Sequence, residues 1–311
     1  MRFIIKKLLS TIATLLIVSL CVFAAFSVIP GDPARAMLGT DASEAAVERL
    51  REEMGLNAPF ISRYGKWIAG FVRGDLGESY KYSKPVSELL LDKVPVTLTM
   101  TLFAFLMILI LSIPLSIISA RHKDGIIDKI IVIITQINMA IPPFFSGFII
   151  TLILGLGLRF FVPGGYVSYS EDSGAFLYYM IFPALAIAIP KSAQTVKLMR
   201  GSLINESGKD YVRTSLSRGA TENYVFYGHI LKNAMIPSIT FLGMVLSDIV
   251  AGSIVIEQVF GIPGFGRILL TAIEGRDYPV VEAIIMFLAI IVIVIYFITD
   301  ILYRVIDPRI D

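Results

Sequence analysis

The sequence predicts an all-α membrane protein with six transmembrane helices, and three observations support this fold class. The 311 residues are 56% hydrophobic and only 17% charged, whereas a soluble domain carries about 25% charged residues. The mean hydropathy is +0.77. The apolar residues also form long runs, and a run that crosses a bilayer must be helical because its backbone polar groups find no water there.

The first span, TM1, is predicted at residues 8–29, after the basic residues Arg2, Lys6 and Lys7. A signal peptide is the alternative for this segment. Its apolar region would span about 7–15 residues and end at an A-x-A-like cleavage site. The run is longer and no such site follows it, so we expect a retained helix.

Residues 30–95 are polar and mixed in charge, and Pro30-Gly31-Asp32-Pro33 breaks the first helix. Helical patterns follow at 44–54 and 64–72. The stretch contains too few apolar residues for a large independent core. We therefore expect a small extracytoplasmic lobe, which completes an N-terminal region of residues 1–95.

The remaining five spans are predicted within a transmembrane domain of residues 96–303, which a tail of residues 304–311 follows. TM3 is longer than a bilayer requires and contains Pro142 and Pro143, which should kink it because proline removes a backbone hydrogen bond. The predicted spans are TM2 at 97–120, TM3 at 129–158, TM4 at 176–196, TM5 at 237–257 and TM6 at 280–302.

Basic residues choose between the two orientations of a six-span chain. They concentrate in the termini and loops that lie in the cytoplasm if both termini do, and such an excess marks the cytoplasmic side. The two short loops on the other side hold only Arg159, Arg267 and Arg276. The sequence therefore predicts cytoplasmic N- and C-termini and a cytoplasmic loop at 197–236.

The cytoplasmic stretch Asp210–Pro237 has the pattern of two short helices around Gly219. Val212, Leu216 and Ala220 share one helical face. Gly219 suits a sharp turn because glycine reaches positive φ without strain, and Thr221 suits the N-cap of the second helix. Such a partly basic hairpin between two spans is expected to dock a cytoplasmic partner.

No catalytic motif accompanies these elements. The chain lacks a G-x-x-x-x-G-K-[ST] phosphate loop. Its two histidines, His122 and His229, lie in separate segments, and the one cysteine, Cys21, excludes a cysteine-cluster metal site. No catalytic residue, bound cofactor or metal is predicted, so any energy from ATP must come from a partner.

The stretch DYVRTSLSRGATENYVFYGHILKNAMIP resembles the cytoplasmic EAA loop of permease subunits of ABC importers. Gly219 matches the glycine of that loop and Ile236-Pro237 match its end, while Arg213-Thr214-Ser215 depart from Glu-Ala-Ala. Related forms are usual in the dipeptide/oligopeptide/nickel branch. Further signatures of that branch are Pro30-Gly31-Asp32-Pro33, GLNAPFISRYGKW, RGDLGESY, Val255-Ile256-Glu257-Gln258-Val259-Phe260, Pro263-Gly264-Phe265-Gly266, Arg276-Asp277-Tyr278-Pro279 and Asp307-Pro308-Arg309.

The resemblance implies a type I importer permease in the cell membrane. It would pair with a second, homologous permease in a heterodimer. Two cytoplasmic ATPases, which use ATP and Mg²⁺, and an extracytoplasmic substrate-binding protein would complete the assembly. Exposed apolar residues of the hairpin would enter a groove on the ATPase, as amphipathic helices do. The implied coupling residues are Tyr211, Val212, Arg213, Thr214, Ser215, Leu216, Arg218, Gly219 and Ala220.

Asp248 interrupts TM5, and a carboxylate at membrane depth should face a cavity or a partner. It either lines the translocation path with Gln136 and Asn138, or forms a packing hydrogen bond to one of them or across the permease pair. Glu257 and Asp277 are expected at the outer mouth, where they either orient the binding protein or form a solvated rim.

The predicted function is the import of di- or oligopeptides, and nickel or a metal chelate is the alternative cargo. A second alternative is an ATP-independent channel or secondary carrier, which should show inverted repeats or paired broken helices. A third is an intramembrane enzyme, which would need an ionisable pair within the spans. Only Asp248 fits that requirement in the sequence.

Overall fold

The computed structural model describes residues 2–28, 32–39 and 42–306, and every regular element in these ranges is helical. An isolated bridge joins Glu78 to Pro85. The all-α prediction is therefore confirmed, while the predicted signatures at Pro30-Gly31 and Asp307-Pro308-Arg309 lie outside the described residues. The α-helices are α1 Arg2–Val28, α2 Pro33–Leu38, α3 Glu44–Glu53, α4 Phe60–Val72, α5 Val86–Leu91, α6 Val94–Arg121, α7 Ile126–Ala140, α8 Pro143–Ile150, α9 Ser173–Ser207, α10 Asp210–Ser217, α11 Glu222–Val225, α12 Leu231–Phe260, α13 Phe265–Glu274 and α14 Tyr278–Ile306.

Five helical segments of the described chain are long and apolar enough to cross a membrane. A sixth span exists if the bent pair α7 and α8 crosses as one unit. Each long helix extends beyond its predicted span, and α9 and α12 extend furthest, because the apolar run marks the membrane segment and not the helix end. The five segments are Ile5–Val28, Val86–Arg121, Ser173–Ser207, Glu222–Phe260 and Tyr278–Arg304.

The two prolines divide predicted TM3 much more sharply than a kink would. Ile126–Ala140 and Pro143–Gly157 meet at 101°. Ile141 and Pro142 are both extended, as expected for a residue that precedes proline. A π-helical segment, Thr151–Gly157, then continues α8. The segment is therefore a broken pair of helices, and the six-span count remains a prediction.

The chain forms two compact units. The first unit contains Met1–Thr97 and Pro263–Ile293, and α1 packs on α4 through rings. Phe23 lies with its ring centroid 5.4 Å from that of Phe60, 5.7 Å from that of Tyr64 and 5.5 Å from that of Trp67. Sequence order alone does not assign Pro263–Ile293 to this unit, and the predicted division after residue 95 stays a prediction.

The second unit contains Leu98–Ile262 and Val294–Asp311, and the antiparallel helices α9 and α12 form its centre. The Tyr179 hydroxyl of α9 donates to the Phe260 carbonyl of α12 at 2.9 Å. Closer to the C-terminus of α9, the Lys191 ammonium donates to the Asp248 carboxylate of α12. Residue numbers thus rise along α9 as they fall along α12. Small buried residues of α9 permit close helix approach; they include Ala184, Ala186, Ala188 and Ala193.

Candidate functional site

The hairpin at Asp210–Pro237 has the predicted turn. Helix α10 ends at Ser217, and Gly219 adopts φ +85°. The Thr221 hydroxyl accepts a hydrogen bond from the Tyr224 N–H at 3.3 Å and caps α11. The second helix is not the short helix that the sequence predicts, however. A π-helical segment, Phe226–Ile230, joins α11 to α12 without a break.

The apolar face of α10 packs against its own chain. Val212 is only 7% exposed, so the expected exposure of its side chain is not seen, and its part in coupling stays a prediction. The physical reason is that α10 folds back onto the adjoining ends of α9 and α12, where burying the valine removes apolar surface from water. The buried cluster comprises Met199, Leu203, Val212, Val225, Phe226, Ile230 and Ala234.

Polar contacts fasten the hairpin to the same two long helices. The Tyr211 hydroxyl donates to Glu206 at 2.9 Å and accepts from the Asn233 amide at 3.3 Å. Lys209 pairs with Glu206 at 2.6 Å. Burial raises the pKa of Tyr211, so its hydroxyl stays protonated and able to donate. Tyr211 therefore connects α10 to α9 and α12.

The outer side of the hairpin remains open. Leu216 is exposed. Ser215 and Ala220 are half-buried. No described carboxylate forms an ion pair with Arg213 or Arg218. This leaves one apolar side chain between two basic residues. The exposed residues of α10 and its turn are Asp210, Arg213, Thr214, Leu216, Ser217, Arg218 and Gly219.

Asp248 forms an ion pair with Lys191 near the middle of α9. The Lys191 ammonium lies 2.8 Å from the carboxylate, and the side chains are 17% and 62% exposed. Gln136 is exposed, and the Asn138 amide donates to the Ile134 carbonyl of its own helix at 2.9 Å. A packing hydrogen bond from Asp248 to either residue is thus not formed. Sequence patterns do not reveal the pairing of Lys191 with Asp248, because the two residues are 57 positions apart.

A groove with polar and apolar lining lies along the C-terminal half of α9. Lys191, Gln194, Leu198, Gly201 and Asn205 recur at spacings of three and four residues, which places them on one helical face. The groove has a volume of about 620 Å³. Its lining residues are Met139, Gln194, Lys197, Leu198, Gly201, Ser202, Asn205 and Phe241.

A second charged pair, also missed from sequence, joins three helices. Arg200 donates from Nε to one Asp128 oxygen at 2.7 Å and from a terminal nitrogen to the other at 2.5 Å. The Ser119 hydroxyl also donates to Asp128, as does the Asp124 N–H at 2.9 Å. The buried carboxylate is therefore saturated with donors, which suits a structural link better than a binding group.

The two residues predicted at the outer mouth are both fully buried. Asp277 accepts hydrogen bonds from the Ser79 hydroxyl and from the N–H groups of Tyr80 and Lys81. Neither side chain therefore forms a solvated rim, and a contact of either residue with the binding protein stays a prediction. A carboxylate at a loop is usually solvated, but here a turn of the first unit folds over Asp277 and supplies its hydrogen bonds.

Comparisons with known proteins identify the family. Residues 112–311 match the model of the binding-protein-dependent transport system inner membrane component, and residues 1–101 match the N-terminal model of the same systems. The chain is 35% identical to the oligopeptide transport system permease protein AppB of Bacillus subtilis (strain 168), covering 99% of each chain. It is 32% identical to a putative peptide transport system permease protein of Brucella abortus (strain 2308), over 99% of this chain and 98% of that protein.

The glutathione transport system permease protein GsiC of Escherichia coli O6:H1 is also 32% identical, over 100% of this chain and 99% of its own length. These relatives are transport subunits, which confirms that the chain is not an enzyme. An inner-membrane component with five or six apolar helices is a multi-pass membrane protein, as predicted. The family match decides against a channel or secondary carrier that works without ATP. The chain belongs to the family of inner-membrane components of binding-protein-dependent transport systems and is the permease subunit of an ABC importer.

Proposed function

We propose that this permease forms half of a pathway for di- and oligopeptides. The observation that carries the proposal is the full-length similarity to permeases named for oligopeptide, peptide and glutathione transport. Glutathione is itself a short peptide, so the three names share one cargo chemistry. Nickel or a metal chelate is the competing cargo, and the uptake test below separates the two.

The ion pair of Lys191 and Asp248 supports a path along α9 and α12. A charged group in contact with lipid at the centre of a helix costs about 2.5–3.5 kcal/mol. Asp248 is nevertheless 62% exposed, so its open side faces water or a second subunit and not lipid. We place the pair, with Gln194 and the groove along α9, on the translocation path. Gln136 is a weaker candidate because it lies on α7, and Asn138 is occupied within its own helix.

The hairpin supports ATPase coupling, with fewer contact residues than the sequence suggested. Leu216 is the apolar contact that remains exposed, and Arg213 and Arg218 flank it as basic residues that orient an acidic partner surface. Thr214, Ser215, Gly219 and Ala220 shape this edge. Tyr211 and Val212 contribute indirectly: they do not contact the ATPase but attach α10 to the long helices. ATPase movement would then reach α9 and α12 as a rigid-body displacement.

The proposed assembly contains a homologous second permease, two cytoplasmic ATPases and an extracytoplasmic binding protein. Cytoplasmic termini place α10 on the ATPase side. The ATPases would bind ATP and Mg²⁺. No group of three or more metal-ligating side chains suited to a metal ion occurs in the described part of this chain.

Uptake by the whole transporter in proteoliposomes tests the proposal. We expect ATP-dependent uptake of labelled di- and pentapeptides and no uptake of Ni²⁺. Asp248→Asn should lower peptide uptake about tenfold, which corresponds to a loss of 1.4 kcal/mol. Glu171→Gln, an exposed loop carboxylate, serves as the charge-matched control and should transport normally.

Two outcomes would contradict the proposal. Nickel uptake without peptide uptake would assign a metal cargo to the same architecture. Equal peptide uptake by the Asp248→Asn and Glu171→Gln variants would remove Asp248 from the path and leave the peptide cargo standing.

A further inference from the structure

A cavity of about 340 Å³ lies within the first unit, beside the end of α1, helix α4 and the start of α14. It is separate from the groove and the hairpin of the second unit. Its walls combine aromatic rings with charges of both signs. The rings belong to Phe23, Phe26, Trp67, Tyr80 and Tyr278, and the charged residues are Glu53, Arg63, Lys66 and Glu282.

Glu282 is the feature of this cavity that requires an explanation. It is only 7% exposed. No hydrogen bond or salt bridge joins its carboxyl group to a described residue, and the Arg63 charge acts on it only at longer range. Burying a carboxylate without a partner is costly, and proteins normally pair such groups. One turn earlier on α14, the Tyr278 hydroxyl is buried and also has no hydrogen-bond partner among the described residues. A buried hydroxyl without a partner and a nearly buried carboxyl group without a direct partner thus line the cavity one turn apart.

The aromatic walls favour a cation beside Glu282. Ring faces attract cations through their quadrupole, and the Arg63 guanidinium already lies 5.6 Å from the centroid of Phe23. Burial raises the pKa of Tyr80 to about 12, so its phenol stays neutral, and the Glu282 carboxyl group is the stronger acceptor on this wall. An ammonium group would satisfy both the carboxylate and the Tyr278 hydroxyl.

Basic side chains, opposite in charge to a carboxylate, line the cavity from α4. Arg63 and Lys66 are three residues apart, which places them on one helical face, and both line the cavity. Neither forms an ion pair with a described carboxylate. A ligand that carries an ammonium at one end and an acidic group at the other would complement both walls.

We propose that this cavity binds a zwitterion, with its ammonium on Glu282 and Tyr278 and its acidic group near Arg63 and Lys66. The position of the cavity favours the ethanolamine headgroup of a phospholipid as the bound zwitterion. Both α1 and α14 are candidate membrane spans, and the cavity lies where one ends and the other begins. Headgroups occupy that boundary of the bilayer. A free zwitterionic peptide has the same two charges and is the other source.

Lipid binding to the full-length chain, purified in detergent with any subunits that accompany it, tests the site. Native mass spectrometry would titrate dioleoyl phosphatidylethanolamine against dioleoyl phosphatidylglycerol, which lacks the ammonium. We expect the ethanolamine lipid to bind about tenfold more tightly, and Glu282→Gln to remove this preference. Glu274→Gln, an exposed carboxylate of the same unit, should retain it.

Two milder variants keep the test usable if Glu282→Gln does not fold. Tyr278→Phe retains the ring and loses only the hydroxyl, and Lys66→Gln changes an exposed side chain. Each should weaken binding of the ethanolamine lipid several-fold. Unchanged binding of the ethanolamine lipid by both of these variants would overturn the proposal, as would equal binding by Glu282→Gln and Glu274→Gln.

Soluble competitors identify the source of the zwitterion. Competition by O-phosphoethanolamine but not by dialanine assigns the site to the lipid headgroup. Competition by dialanine that disappears in Glu282→Gln supports the same ammonium site and assigns it to peptide. Competition by either compound that is insensitive to the Glu282 and Tyr278 substitutions would contradict the proposal.

Discussion

Single charged residues of the second unit have two distinct environments. Asp128 is buried and receives hydrogen bonds from Arg200, Ser119 and the Asp124 backbone. Asp248 is mostly open, and among the described residues only Lys191 pairs with it. A saturated, buried carboxylate has no capacity left for a ligand, whereas an open one does. The contrast separates a residue that stabilises the fold from one suited to meet cargo.

Removing the guanidinium of Arg200 should therefore destabilise the protein without altering its surface. Arg200→Met leaves the Asp128 carboxylate buried without its counter-charge, which costs roughly 3–5 kcal/mol. Thermal unfolding in detergent should show a Tm lower by several degrees. Lys197→Met, an exposed change on the same helix, should alter the free energy of unfolding by less than about 0.5 kcal/mol.

A double variant checks the cause. In Arg200→Met with Asp128→Asn the remaining partner is neutral, so part of the lost stability should return. Additive losses would show that the two side chains are not coupled.

At the scale of elements, the hairpin is a rigid extension of two long helices. Its apolar face is buried against Leu203 and Ala234, and its turn depends on the positive φ of Gly219. A Cβ added at Gly219 would meet no atom within 4 Å. Substitution there acts through backbone strain alone, so it alters the presentation of α10 and leaves the surrounding packing intact.

Gly219→Val should impair coupling while leaving membrane insertion unchanged. A left-handed conformation costs an ordinary residue about 1–2 kcal/mol, and valine is less tolerant because it is β-branched. ATPase co-purification and ATP-dependent uptake should both fall. Gly219→Asn is the matched control, since asparagine tolerates positive φ, and it should retain most activity. Normal transport by the valine variant would defeat the coupling assignment.

At the scale of the whole molecule, the path of the chain between α7 and α9 determines the topology. The pair α7 and α8 either crosses the membrane as one broken span or returns to the side where it began. The two arrangements differ in where the loop before α9 lies. The sequence-based prediction of cytoplasmic termini requires a crossing.

Single cysteines in a Cys21→Ala background distinguish these arrangements. With cytoplasmic termini and six spans, Lys123→Cys and Ser217→Cys should be protected from a membrane-impermeant maleimide in intact cells. Ser170→Cys, in the exposed loop before α9, should react with it. Reaction at both Lys123→Cys and Ser170→Cys, with protection only at Ser217→Cys, would establish a re-entrant pair and a five-span chain.

The sequence by itself determined the membrane class, five of the apolar spans, the turn at Gly219, the cap at Thr221 and the transporter family. These features depend on the chemistry of neighbouring residues: hydropathy over one bilayer thickness, the φ preference of glycine, or a signature of adjacent letters. A local sequence pattern is therefore sufficient to predict each of these features. The break at Pro142 was located in the same way, although not its 101° angle.

Only the tertiary structure decided which side of each element is used. It buried Val212, paired Lys191 with Asp248 and Asp128 with Arg200, enclosed Asp277, and brought Glu282 to a cavity beside α1 and α4. The three charged contacts join residues 57, 72 and 198 positions apart. The physical reason is that burial and pairing depend on which distant surface meets a side chain. The period of one helix predicts its faces but not their partners.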